Sequence, residues 1–174
     1  VKDLFTWEKN VKWRLDPASP ARRAALAERA QAAVQAQQQQ LIICQNIIGG
    51  YMYLRSLIGP EELLYMFYDN AALIRSCMQA WFDLADSVTE YSQRFISIDE
   101  VFFAEDICYN SGSLISPAMM EDFLFPYYQQ LLENIKKRNR GKKIHIQVDT
   151  DGDCRPVISV YQKIGMDYMS PFEV

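Results

Sequence analysis

The stretch Lys143–Cys154, KIHIQVDTDGDC, constrains the fold of this chain most strongly. In its first half apolar and polar residues alternate strictly, which predicts a β-strand with one apolar and one polar face. The strand runs into Asp149-Thr150-Asp151-Gly152-Asp153, which holds three carboxylates and a glycine suited to a sharp turn. A charged turn between a strand and a helix is typical of active sites in α/β proteins. An Asp-rich turn that only caps the following helix would give the same pattern.

The elements predicted after residue 40 alternate between strands and helices. Four strands are predicted, over Leu41–Ile47, Ile98–Asp106, Ile144–Asp149 and Asp167–Glu173. Amphipathic helices separate them, and Pro126 should kink the helix that follows Ser116-Pro117. This order predicts an α/β fold with parallel strands and right-handed crossovers over residues 41–174. Residues 1–40 are predicted to form a separate N-terminal helical segment, with helices over residues 1–17 and 21–40.

Composition excludes several classes of protein. The net charge of −4 argues against nucleic-acid binding, which relies on a basic surface. No apolar run approaches the roughly 20 residues that a membrane helix needs. The cysteines are widely scattered, which favours reduced thiols and a cytoplasmic location over a disulfide framework. Because His145 is the single histidine, a Cys/His zinc site would have to be assembled from distant residues.

Three blocks between Gly50 and Val174 resemble the uroporphyrinogen decarboxylase superfamily, which joins porphyrinogen decarboxylases to methyltransferases that work with corrinoid proteins. The blocks are GYMYLRSLIGPEELLYMFYDNAALI, FFAEDICYNSGSLISPAMMEDFLFPYY and VDTDGDCRPVISVYQKIGMDYMSPFEV. The middle block is the most specific, because an acidic pair at a strand end precedes Leu-Ile-Ser-Pro at the start of a helix. The resemblance implies a (β/α)₈ barrel with its active site at the carboxyl ends of the strands.

The chain is short for such a barrel, which typically takes about 250 residues. With 174 residues and four predicted strands, we expect an incomplete TIM (β/α)₈ barrel, about half of one. Its outer strands would expose unpaired backbone groups, a template for pairing with another chain. We therefore expect a homodimer, or a missing barrel half, to complete the fold. The chain alone should be inactive.

The resemblance places the candidate site residues at the barrel mouth. The candidate catalytic residues are acids at predicted strand ends: Glu105, Asp106, Asp149 and Asp151. Only one of Glu105 and Asp106 should face the lumen, because neighbours on a strand point to opposite faces. Four further residues are candidates for substrate binding: Tyr109, Asn110, His145 and Glu173. His145 lies deeper in its strand, where a hydrogen-bonded core histidine is the simpler interpretation.

The chain departs from the family pattern in two places. Zinc-dependent methyltransferases of the superfamily have His-x-Cys-Gly at the end of the strand that here ends in Asp149-Thr150-Asp151-Gly152. Paired carboxylates favour a hard cation or a cationic substrate over a thiol-activating zinc ion, so a His/Cys zinc site is not expected. The N-terminal arginine and aspartate motif of the decarboxylases is absent before Leu41.

These observations predict an enzyme that transfers a methyl group from a small methylated substrate to a corrinoid protein. Clustered carboxylates would suit a quaternary amine, whose charge they offset. The enzymatic alternative is uroporphyrinogen decarboxylation, a lyase reaction of porphyrin biosynthesis, although an acidic mouth repels a polycarboxylate substrate. The remaining alternative is a non-catalytic fragment or degenerate homologue that kept the fold and lost the site.

Overall fold

The computed structural model describes residues 1–172. Its central element is one four-stranded parallel sheet. The strands are β1 (Cys44–Ile48), β2 (Glu100–Ala104), β3 (His145–Asp149) and β4 (Tyr168–Ser170). They lie in chain order across the sheet, and all three neighbouring pairs are parallel. Because each strand is added on the same side of the previous one, the sheet winds in one direction. This is the arrangement of an incomplete (β/α)₈ barrel, and it confirms the predicted fold class.

Eight helices, within the described residues, precede or connect the strands. They are α1 (Leu4–Asn10), α2 (Pro20–Gln38), α3 (Gly50–Ile58), α4 (Pro60–Asp69), α5 (Ala71–Gln93), α6 (Pro117–Phe123), α7 (Phe125–Arg138) and α8 (Arg155–Gln162). The Ser116 hydroxyl caps α6 by accepting from the Met119 N–H at 3.2 Å. Pro126 lies in the first turn of α7, and the predicted kink is a break between α6 and α7 at Leu124. None of these helices combines the length and apolarity that crossing a membrane requires.

The two faces of the sheet differ as the alternation in β3 predicts. Val101, Phe103 and Val148 are completely buried on the face that packs against the helices. On the opposite face, His145 is exposed, and Gln147 and Asp149 are half-buried. Burying each large apolar side chain contributes about 1.5–3 kcal/mol, so the helix-covered face supplies the core.

The first strand differs from its prediction. It begins at Cys44, and only one of its faces is buried, because Ile48 is 61% exposed. The other face is uncovered, because no second layer of structure packs against it within residues 1–172.

The structure differs from the predicted elements in three other places. Strand β2 ends at Ala104, because the N–H groups of Glu105 and Asp106 both donate to the Asp149 carbonyl, at 2.9 and 3.2 Å. A short antiparallel hairpin pairs Cys108–Tyr109 with Gly112–Ser113, where the sequence analysis assigned no strand. The predicted first helix is divided into α1 and a 3₁₀ turn over Lys12–Leu15.

The first helix belongs to the main core. Trp7 is completely buried, and its indole N–H donates to the Ser76 hydroxyl of α5 at 3.0 Å. Helix α2 is held more loosely, since Leu26 and Ala30 are its buried residues.

Candidate active site at the carboxyl end of the sheet

The carboxyl ends of β2 and β3 bring the predicted acids to one edge of the sheet. Ala104 and Asp149 are paired in the parallel register, and the backbone after Ala104 remains hydrogen-bonded to Asp149. The carboxylates of Asp106 and Asp151 lie near enough to Asp149 to raise its pKa, and we call the three residues the acidic rim. This arrangement follows from the topology, because parallel neighbours end at the same edge.

Asp149 experiences the negative charge of the other two rim residues. Its side chain is half-buried, and burial raises its pKa above the ordinary value for aspartate. The nearby carboxylates of Asp151 and Asp106 raise that pKa further. Within residues 1–172 the structure shows no ion pair to Asp149 or Asp151. Asp149 and Asp151 therefore concentrate negative charge that no ion pair among the described residues neutralises.

Asp106 is the exception, because its carboxylate forms an ion pair with the Arg55 guanidinium of α3. Its backbone is left-handed, with φ of 47°, a conformation in which aspartate is several-fold enriched among non-glycine residues. This turn directs the chain away from β2 and leaves the Asp106 side chain half-exposed at the rim.

Glu105 lies on the other face of the sheet and does not belong to the rim. It is completely buried among the helices, where its carboxylate accepts from the Tyr51 N–H at 2.8 Å and the Tyr128 hydroxyl at 2.6 Å. Burial raises the pKa of Glu105 to about 7, although these hydrogen bonds and the neighbouring Tyr161 hydroxyl act in the opposite direction. Glu105 therefore cannot touch a ligand at the rim, and the lumen-facing member of the acidic pair is Asp106.

Thr150 holds the turn between the two rim aspartates, a role that the sequence analysis missed. Its completely buried hydroxyl accepts from the Ile107 and Cys108 N–H groups, both at 3.0 Å. Gly152 follows with φ of 83°, and a Cβ there would lie 2.5 Å from the Tyr109 backbone. A hydroxyl side chain between two acids was the available signal, but its hydrogen-bond partners come from a distant segment.

The remaining predicted residues are spread over the molecule. Tyr109 and Asn110 lie exposed in the hairpin, whose Tyr109 carbonyl accepts from the Asp153 N–H at 2.8 Å. The hairpin therefore lies against the turn that carries the rim. His145 is at the opposite, amino end of β3, where its Nδ1 lies 3.6 Å from Asp167. Glu173 lies outside the described residues.

The described residues do not fit the His/Cys zinc site of the superfamily's zinc-dependent methyltransferases. No three His, Cys, Asp or Glu side chains within residues 1–172 converge closely enough to hold a metal ion. His145 lies at the other end of β3 from the rim. Cys108 is buried beside the rim turn, and burial raises its pKa to about 11, which disfavours the thiolate that zinc requires.

Comparisons with known proteins agree with this architecture. A family model described as uroporphyrinogen decarboxylase (URO-D) matches residues 5–171. No curated protein matches the chain. Among solved structures, the chain is similar to a methyltransferase from Methanosarcina mazei, with a TM-score of 0.60 and 12% identity over 81% of this chain. The chain spans 40% of the length of that methyltransferase. At this identity the similarity concerns the fold, of which the chain forms a part.

Proposed function

Because the chain belongs to the uroporphyrinogen decarboxylase family, we propose that its acidic rim is part of a methyltransferase-like site for a small cationic, methylated substrate. The observation that carries this proposal is the pair Asp149 and Asp151 at the carboxyl edge of the sheet, where the charge of Asp151 raises the pKa of Asp149 and neither has an ion-pair partner among residues 1–172. The carboxyl edge of parallel strands is where proteins with this type of sheet bind their ligands.

Charge decides the class of substrate. Among residues 1–172, Asp106 is the one rim carboxylate with an ion-pair partner, the Arg55 guanidinium, so the charge of Asp149 and Asp151 makes the local potential negative. A quaternary ammonium group relieves the repulsion that raises the pKa of Asp149. A polycarboxylate such as a porphyrinogen increases that repulsion, so the rim favours methyl transfer over decarboxylation as the reaction.

The rim carboxylates would bind and orient the substrate. When a methyl group leaves a quaternary nitrogen, the nitrogen keeps the electron pair of the broken C–N bond and loses its positive charge. Carboxylates therefore stabilise the bound substrate more than the transition state, and their contribution lies in affinity and positioning. A corrinoid carried by a partner protein is the proposed methyl acceptor.

The test is an NMR titration of the isotopically labelled 174-residue chain with tetramethylammonium. We expect shifts for the backbone signals of Asp149 and Asp151, and no shifts with neopentyl alcohol, which has a similar shape and no charge. Replacing both residues with Asn should abolish the response. Asp69→Asn is the matched control, because Asp69 is an exposed acid at the end of α4.

The outcomes separate the alternatives. Equal responses to the charged and the neutral probe, or an undiminished response in the double variant, would refute a cation site at the rim. Binding of an octacarboxylate porphyrin at the same residues would favour the decarboxylase alternative. A folded chain that binds none of these probes would favour a homologue that has lost its site.

A further inference from the structure

Two consecutive side chains, those of Glu105 and Asp106, contact the same helix. The Glu105 carboxylate accepts from the Tyr51 N–H at 2.8 Å, in the first turn of α3. One turn further along α3, the Arg55 guanidinium pairs with the Asp106 carboxylate. The two side chains, the peptide bond between them and one turn of α3 therefore form a closed loop of contacts. A movement of α3 relative to the end of β2 changes both contacts together.

Gly49 and Gly50 allow the buried contacts of this loop to form. A Cβ at Gly49 would lie 2.6 Å from the Glu105 carboxylate. A Cβ at Gly50 would lie 2.9 Å from the Tyr128 hydroxyl. That hydroxyl donates to Glu105 at 2.6 Å and accepts from the Gly50 N–H at 2.5 Å. The amino end of α3 is therefore bound, directly and through Tyr128, by a carboxylate of the protein itself.

The ionised form of Glu105 binds this helix end more strongly than the neutral form. The amino end of a helix carries a partial positive charge, which favours an anion there. Hydrogen bonds to an ionised acceptor are also roughly twice as strong as those between neutral groups. Protonation of Glu105 removes both advantages, so it weakens the contacts that hold the first turn of α3.

The groups around Glu105 leave its charge uncompensated. It forms no ion pair within residues 1–172, and the titratable side chains that face it are neutral: Tyr51 of α3, Cys108 of the hairpin, Tyr128 of α7 and Tyr161 of α8. Burial raises the pKa of Glu105 to about 7, whereas its hydrogen bonds lower that pKa. Both protonation states are therefore populated near neutral pH.

We propose that Glu105 is a positioning residue of the acidic rim, whose ionised form holds α3 and thereby keeps the Arg55 guanidinium on Asp106. When Glu105 takes up a proton, the first turn of α3 loosens and the ion pair weakens with it. The buried carboxyl group thus controls how much of the negative charge of the rim is neutralised. The inference requires only the contacts of Glu105 and Asp106, so it does not depend on which ligand the rim binds.

The first test follows the Arg55 side-chain nitrogens by NMR in the isotopically labelled 174-residue chain. As the pH falls from about 9 to about 5, these signals should move towards their positions in the unfolded chain. The midpoint should match that of the Glu105 carboxyl carbon. Glu105→Gln should hold the Arg55 signals near their low-pH positions throughout, because the amide is neutral like the protonated acid. Glu133→Gln, which changes an exposed acid of α7, should retain the transition.

The second test uses the reciprocity of coupled equilibria. If ionised Glu105 strengthens the pair between Arg55 and Asp106, loss of that pair must raise the pKa of Glu105. Asp106→Asn and Arg55→Gln should therefore both raise it, by about fivefold in proton affinity, the lower end of ordinary coupling between sites. Direct charge effects predict opposite shifts, because removing a nearby negative charge lowers the pKa of an acid and removing a positive charge raises it.

The outcomes decide the proposal even if Glu105→Gln fails to fold. Arg55 and Asp106 are half-exposed, so the two pair variants leave the buried contacts intact. An Arg55 signal that does not follow the titration of Glu105 would overturn the proposal. Opposite shifts of the Glu105 pKa in the two pair variants, or no shift in either, would overturn it as well.

Discussion

Glu105 and Asp106 are consecutive in the chain but lie on opposite faces of the sheet. The Glu105 carboxylate is buried 2.6 Å from the Tyr128 hydroxyl, whereas the Asp106 carboxylate pairs with Arg55 at the rim. The Tyr128 hydroxyl also accepts from the Gly50 N–H at 2.5 Å, so Glu105 and Tyr128 together hold the first turn of α3. Because Arg55 is on the same helix, the buried face supports the residues at the rim.

Titration of Glu105 should make stability fall as the pH rises. Its pKa is about 7 in the folded protein and close to 4.5 when the chain is unfolded. Between these values the folded state holds a proton that the unfolded state has lost. The resulting stabilisation is complete below about pH 4.5, and it is lost as the pH rises towards 7. Urea unfolding at several pH values should show this loss, which amounts to at most about 3 kcal/mol.

The Glu105→Gln variant should remove that part of the pH dependence, because the amide does not titrate in this range. Glu133→Gln is the matched control, since Glu133 is an exposed acid on α7. If both variants keep the slope of the unmodified protein, Glu105 does not titrate between the two values.

Loss of the Thr150 hydroxyl should destabilise the turn that carries the rim. Thr150→Val keeps the shape of the side chain but leaves the Ile107 and Cys108 N–H groups without their acceptor. We expect a loss of about 2–4 kcal/mol in unfolding free energy, measured by chemical denaturation. Thr150→Ser retains the hydroxyl and should recover most of the stability. An equal loss in both variants would indicate that the methyl group matters instead.

Gly152→Ala should cost more stability than Gly141→Ala. Both glycines have positive φ, 83° and 80°, so the conformational cost of adding a side chain is about 1–2 kcal/mol at each position. A Cβ at Gly152 would also lie 2.5 Å from the Tyr109 backbone, whereas a Cβ at Gly141 meets nothing within 4 Å. The difference between their unfolding free energies measures the close approach of the hairpin to the rim turn. Equal values would contradict that contact.

Much of the fold was predictable because its signals are local. The alternation over Ile144–Asp149 assigns the two faces of β3 correctly, since side chains on a strand point alternately to either side. The order of strands and helices predicts the parallel sheet, because a helix between two strands allows a right-handed crossover. The carboxyl ends of parallel strands share an edge, so the meeting of Asp106 and Asp149 followed from the topology.

The chain's own sequence thus determined the sheet, its winding and the edge that carries the acids, through patterns that repeat every few residues. Only the tertiary structure decided that Glu105 is buried beside Tyr128, that Thr150 anchors the rim turn and that one face of β1 is exposed. These features depend on contacts between segments tens of residues apart. The environment of a side chain is set by what packs against it, and that is decided when distant segments meet.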